Sequence, residues 1–207
     1  MNPYTVVEEF EKRLAEWCGS KYAVAVESCS AALFLSLMYR TKVEGENSLY
    51  VDIPARTYPS VPCSIIHAGL SPRFNQIHWY GEYLLQPLDI WDAALRLKPA
   101  MYHGGLQCLS FHVKKLLPIG RGGMILTDDR EAYEWLKKAR FDARSPVPLA
   151  EDNFTMLGWN MYMSPSDAAR GIQLFEVYRQ KYPNGAEDLK VEEQGYPDLS
   201  KFKIYTQ

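Results

Sequence analysis

The chain has 207 residues, with 23 lysines and arginines against 25 aspartates and glutamates and a formal net charge of −2. At roughly 100–200 residues per domain this leaves room for one large domain or two small ones. A composition of 47% hydrophobic and 23% charged residues excludes a disordered chain, a collagen-like repeat and a coiled coil, and the near-neutral balance predicts neither nucleic acid nor anionic membrane as a partner.

Cys18, Cys29, Cys63 and Cys108 stand far apart with no C-x-x-C pair. They suggest neither a zinc ribbon nor a disulfide scaffold, and no metal is expected; reduced thiols in a cytoplasmic protein fit best. The start, Met1-Asn2-Pro3-Tyr4 followed by Glu8, Glu9, Glu11, Lys12 and Arg13, lacks the apolar stretch of a secretory signal. No run approaches the ~18 apolar residues of a membrane span.

In chain order, Val7, Phe10, Leu14 and Trp17 recur at helical spacing, with Thr5 and Glu8 placed as a capping box and Gly19 as a stop. Tyr22–Val26 is a strand that breaks at Ser28-Cys29-Ser30 into a helix through Met38. Leu49–Ile53 is a second strand, closed by Pro54, and Pro59 opens a helix ending near Gly69. Strand, crossover helix and strand predict a mainly parallel, mixed α/β sheet flanked by helices. Apolar runs at 83–91 and 106–111 end at Asp92 and Ser110, and 123–127 is a further strand. Asp128 or Asp129 caps a helix through Ala139, 142–158 form an exposed loop, and Ser164-Pro165-Ser166-Asp167 opens another helix through Tyr178. Beyond about Lys181 the chain is polar and punctuated by glycine and proline, with no long periodic segment.

The segment Ser110-Phe111-His112-Val113-Lys114-Lys115-Leu116-Leu117-Pro118-Ile119-Gly120-Arg121-Gly122-Gly123 places a lysine after a strand and before a glycine-rich turn. A lysine in a walled site can form an imine with a carbonyl cofactor, because desolvation or a neighbouring cation lowers its pKa. Lys114 is a candidate for that neighbour, and both lysines also read as solvated surface charges. The glycines lack the G-x-G-x-x-G spacing and precede a strand, so they are no dinucleotide fingerprint.

This segment resembles the DegT/DnrJ/EryC1/StrS family of sugar aminotransferases, which depend on pyridoxal 5′-phosphate (PLP) and share fold type I. The family pattern S-F-x3-K-x-L-x2-G-x-G-G is matched in register by Ser110, Phe111, Lys115, Leu117, Gly120, Gly122 and Gly123. The resemblance implies that Lys115 is the cofactor lysine and that Ser110 contacts the phosphate. Phe10-Glu11 with Tyr22–Leu33 is similar to F-E…Y-A-V-A-V-x-S-G-T-A-A-L, which implies that Ser28, Cys29 and Ser30 hold the phosphate at a helix start. Read alone, Ser28 is a simple N-cap.

Ile53–Tyr58 is similar to I-P-A-x-T-aromatic, making Tyr58 the ring that stacks on the pyridine; alone it reads as a core or rim aromatic. Ile90–Ala94 resembles the E-D-A-A motif, making Asp92 the partner of the pyridinium nitrogen, and alone it reads as a helix cap. Gly158–Ser164 resembles G-x-N-x-x-M-S, which implies that Asn160 reaches the phosphate of the adjacent subunit in a homodimer with shared sites.

Departures from the family pattern accompany these matches. The stretch before the Phe10-like position is short, most of a helix and strand before Asp92 is missing, and residues 182–207 stand as a short tail in place of a small domain, after a reduced cofactor-binding domain at 1–181. Leu95 stands where the family usually has His or Gln, Cys29 replaces a glycine and Arg121 an acid. Lys115 argues against the dehydratase branch, where histidine occupies that position. The resemblance implies amino transfer from an amino acid such as glutamate to a nucleotide-linked keto sugar. The alternatives are a dimeric remnant that binds PLP or a partner without turnover, and a generic α/β protein.

Overall fold

The computed structural model describes residues 2–145 and 147–206; Met1, Pro146 and Gln207, which the readings of the N-terminus, the 142–158 loop and the tail included, lie outside the described residues. Helix α1 (Thr5–Cys18) buries Val7, Phe10, Leu14 and Cys18 along one stripe. It stops at Gly19, where φ is 87° and the N–H donates to Ala15 O, a left-handed C-cap that glycine adopts without Cβ strain. The expected capping box does not form. Tyr4 occupies the cap, and Thr5 is already helical with its hydroxyl donating to Asn2 O at 3.0 Å.

Strand β1 (Tyr22–Val26) leads to helix α2 (Cys29–Lys42), whose N-cap Ser28 accepts a hydrogen bond from Ala31 N–H at 3.1 Å. Strand β2 (Tyr50–Pro54), helix α3 (Ser60–His67) and strand β3 (Ser71–Asn75) form the expected crossover unit with β2 and β3 parallel. The run at 83–91, read as one segment, is a hairpin of β4 (Tyr83–Leu85) and β5 (Ile90–Asp92). Strands β6 (Leu106–Ser110) and β7 (Gly123–Thr127) follow, then α4 (Arg130–Ala139), capped by Asp129, and α5 (Pro165–Lys181), capped by Ser164.

The main sheet runs β1-β7-β6-β5-β4, and an antiparallel bridge from Asp52 to Gln86 joins it to the β2–β3 pair. The class is α/β with a mixed sheet, as expected, but its balance is less parallel than the crossover rule suggested. Among the described residues only the strand pairs β5–β6 and β2–β3 are parallel, while β7 opposes both neighbours and β4 opposes β5. The physical reason lies in the connections. A parallel return needs a crossover of a dozen or more residues, usually helical; four residues, 86–89, join β4 to β5, and the 111–122 loop between β6 and β7 contains no helix.

The sheet is covered on both faces. Val24, Val26, Cys108 and Ile125 point into a core shared with α2 and α4, whereas Ala23, Ala25, Leu109, Met124 and Leu126 point into a second core shared with α1 and α5. Coverage on both faces explains why β7 is buried at every position from Gly123 to Thr127 rather than alternating.

Candidate functional site

A cavity of about 940 Å³ opens where β5 and β6 end and α2 begins, the place where open α/β sheets bind ligands. Seven of the eight residues singled out from the sequence line it: Ser28, Cys29, Ser30, Tyr58, Asp92, Ser110 and Lys115. The eighth, Asn160, does not. It is exposed, and its Nδ2 donates to Asp142 Oδ2 at 2.9 Å, while the neighbouring Met161 reaches the cavity.

The start of α2 forms one wall. The first N–H groups of a helix have no acceptor within it; Ser28 Oγ takes that of Ala31, leaving those of Cys29 and Ser30 at the positive end of the helix dipole beside the cavity. Ser30 Oγ donates to Ser60 Oγ at 2.6 Å, tying this turn to α3. Gly123 shows why the glycine turn is needed: a Cβ there would lie 2.5 Å from Ser28 C and 2.6 Å from Cys29 N. Only glycine lets the start of β7 pass so close behind the start of α2.

Asp92 forms the floor and is buried. Its Oδ2 accepts from Tyr83 OH at 2.9 Å, its Oδ1 accepts from Ala94 N–H at 3.0 Å, and Tyr83 in turn shares a 2.6 Å hydrogen bond with Thr57. Burial raises its pKa, against the opposing pull of those two hydrogen bonds and of Lys115. Among the described residues, no lysine or arginine lies within ion-pair distance of this carboxylate. The donor set therefore fits an anion at the start of α2 and a cationic ring nitrogen at Asp92.

Lys115 is half-buried, whereas Lys114 is exposed. Burial lowers the pKa of the Lys115 amine, and the charge of Asp92 opposes that shift, so amine and carboxylate are within electrostatic reach across the cavity. Cys29 itself is pushed well above its ordinary value by burial and by Asp92, which keeps it a neutral thiol. Tyr58 is 56% exposed at the mouth.

Residues that the sequence reading passed over complete the walls. Tyr196 OH lies 3.4 Å from Lys115 Nζ, where it accepts a hydrogen bond, and Gln194 lies beside it in the lining. Arg121 pairs with Glu27 at 2.8 Å on the rim. Leu95, noted above as a departure from the family pattern, is fully buried in the core and does not line the cavity.

The fold is that of the PLP-dependent aminotransferases. The chain superposes on Helicobacter pylori PseC, an aminotransferase involved in the biosynthesis of pseudoaminic acid, with a TM-score of 0.77 at 15% identity, over 98% of this chain and 80% of that one. A putative PLP-dependent aminotransferase from Bacillus cereus gives 0.73 at 20% identity, over 87% and 61%. Residues 1–94 and 95–181 match the DegT/DnrJ/EryC1/StrS aminotransferase family, and the chain belongs to that family. It is 26% identical to the spore coat polysaccharide biosynthesis protein SpsC of Bacillus subtilis, over 89% of this chain and 54% of that protein. It is equally 26% identical to the GDP-perosamine synthase of Caulobacter vibrioides, over 82% and 56%. The chain spans about half the length of these curated relatives.

Proposed function

We propose that this chain carries the cofactor site of a PLP-dependent sugar aminotransferase, which moves an amino group from an amino acid such as glutamate to a nucleotide-linked keto sugar. The single observation that carries the reading is the placement of a half-buried Lys115 and a buried Asp92 on one cavity beside the open start of α2. Bound there, PLP would supply an electron sink for negative charge developing at the substrate carbon.

The chain's own residues have separable tasks in this reading. Ser28, Cys29 and Ser30, with Ser110, hold the phosphate through backbone N–H groups and hydroxyls. Asp92 keeps the ring nitrogen protonated, and Tyr83 and Ala94 fix its two oxygens. Tyr58 covers the ring face from the mouth. Lys115 would hold the cofactor at its carbonyl and, when released from it as a free amine by the incoming amino group, would be the base placed to move a proton at the substrate carbon. Residues 1–181 form the cofactor-binding domain and residues from 182 onward add a wall to it. A homodimer brings Asn160 to the partner's site.

The test is a transamination assay with glutamate and a panel of nucleotide keto sugars. The reading expects amino-sugar product from the wild type and none from Lys115→Ala. PLP uptake without product from any sugar would favour the second reading, a binding scaffold without turnover. Leu95 supports that alternative, because no imidazole or amide at this position reaches the cavity.

A further inference from the structure

The C-terminal segment crosses the cavity as a strap pinned on both sides. Leu189 N–H donates to Leu95 O at 2.9 Å and Leu199 N–H to Ala55 O at 2.8 Å. Asp188 is paired with Arg96 at 2.8 Å and Lys98 at 3.0 Å, and Val191 and Leu199 are buried. Between these anchors Gly195 takes a φ of 67° and Tyr196 turns into the cavity. Its ring lies parallel to Trp79, with centroids 6.5 Å apart and planes 10° apart, and edge-on to Tyr58 at 6.2 Å.

Resting on the reading of Lys115 given above, we propose that Tyr196 is a positioning residue: held by the strap, its phenol oxygen accepts a hydrogen bond from the Lys115 amine and keeps that amine aimed across the cavity. A lysine side chain carries about 2 kcal/mol of rotamer entropy, and orienting a reacting group before it meets its carbonyl removes that part of the barrier. A tyrosine suits the task better than a carboxylate would. Burial and the charge of Asp92 push the phenol pKa up, so it stays neutral and orients the amine without adding a full charge that would keep it protonated.

Other groups face the amine as well. Asp92 from β5 and Cys29 from α2 act on it directly. Around the wall stand Glu27 after β1, paired with Arg121, then Tyr58 and His67 near α3, and His112 and Lys114 on its own loop. None of these changes in a Tyr196→Phe variant, which also keeps the aromatic stack.

The experiment labels cofactor-free protein with acetic anhydride across pH and reads Lys115 by peptide mass spectrometry, with Lys114 as internal reference. PLP uptake is then measured separately. Removing the acceptor disfavours the ammonium, so in Tyr196→Phe the Lys115 midpoint falls by about half a pH unit, roughly a threefold rise in free amine at fixed pH. PLP uptake at a pH where the amine is free slows severalfold. An unmoved midpoint and uptake rate in a wild type that does bind PLP overturns the positioning role alone. Faster uptake in Tyr196→Phe or Tyr196→Ala also overturns it, since the phenol would then be an obstruction. A wild type that takes up no PLP at any pH overturns the cofactor reading and, with it, the purpose assigned to Tyr196.

Discussion

Asp92 sits under two opposed demands. Burial without a cationic partner disfavours its charge, yet a protonated ring nitrogen needs that charge beside it. In the cofactor-free protein the raised pKa means that its contribution to stability is fully present below the ordinary carboxylate range and is lost as pH rises through the raised value. Above that raised value the ionised carboxylate is a cost to the fold, and a neutral isostere relieves it. Asp92→Asn is expected to raise Tm of the cofactor-free protein, by about 2–4 °C for each kcal/mol relieved, while weakening PLP binding; calorimetry with and without PLP checks both. A lower Tm together with unchanged PLP affinity would contradict this account. Seven of the cavity residues were legible in the sequence because each belongs to a short local motif. Tyr196 was not, because it meets Lys115 across 81 positions from a segment without periodicity, and a tertiary hydrogen bond leaves no spacing to read.

Among the elements, β1 is the sheet edge that leads into the cofactor-side turn, and its exposed backbone is closed by side chains. Glu11 of α1 accepts from Ala25 N–H at 2.8 Å, Arg140 donates to both Glu11 and Ala25 O, and Lys137 reaches Glu11 at 2.9 Å. Glu11 and Arg140 are both buried. Removing Arg140 leaves the buried Glu11 with Lys137 as its remaining cation and Ala25 O without its side-chain donor, so Arg140→Met is expected to cost about 1.5–3 kcal/mol in urea denaturation, and a loss below about 1 kcal/mol would show that the network contributes little. Caps and stops at Gly19, Asp129 and Ser164 were readable because they act within one turn of the chain. The capping box at Thr5 misled because Tyr4 takes the cap one residue earlier. Strand direction was only partly readable: the crossover rule applied where α3 intervenes, but the β4–β5 hairpin hides inside a continuous apolar run that spacing alone reads as one segment.

For the whole molecule, the surface around Asn160 bears on assembly. Leu149, Phe154 and Leu157 are 61%, 56% and 88% exposed in the stretch that precedes it, and Asn160 turns away from this chain's own cavity. Light scattering is expected to give the mass of a dimer at micromolar concentration, and Asn160→Ala to weaken PLP binding without changing that mass; a monomeric wild type would contradict the shared site. The central claim concerns one covalent link. The protein is incubated with PLP, reduced with borohydride and digested, and the adduct is located by mass spectrometry. The account predicts one stoichiometric adduct at Lys115, missing from Lys115→Ala, whereas an adduct spread over exposed lysines such as Lys114, or none at all, would contradict it.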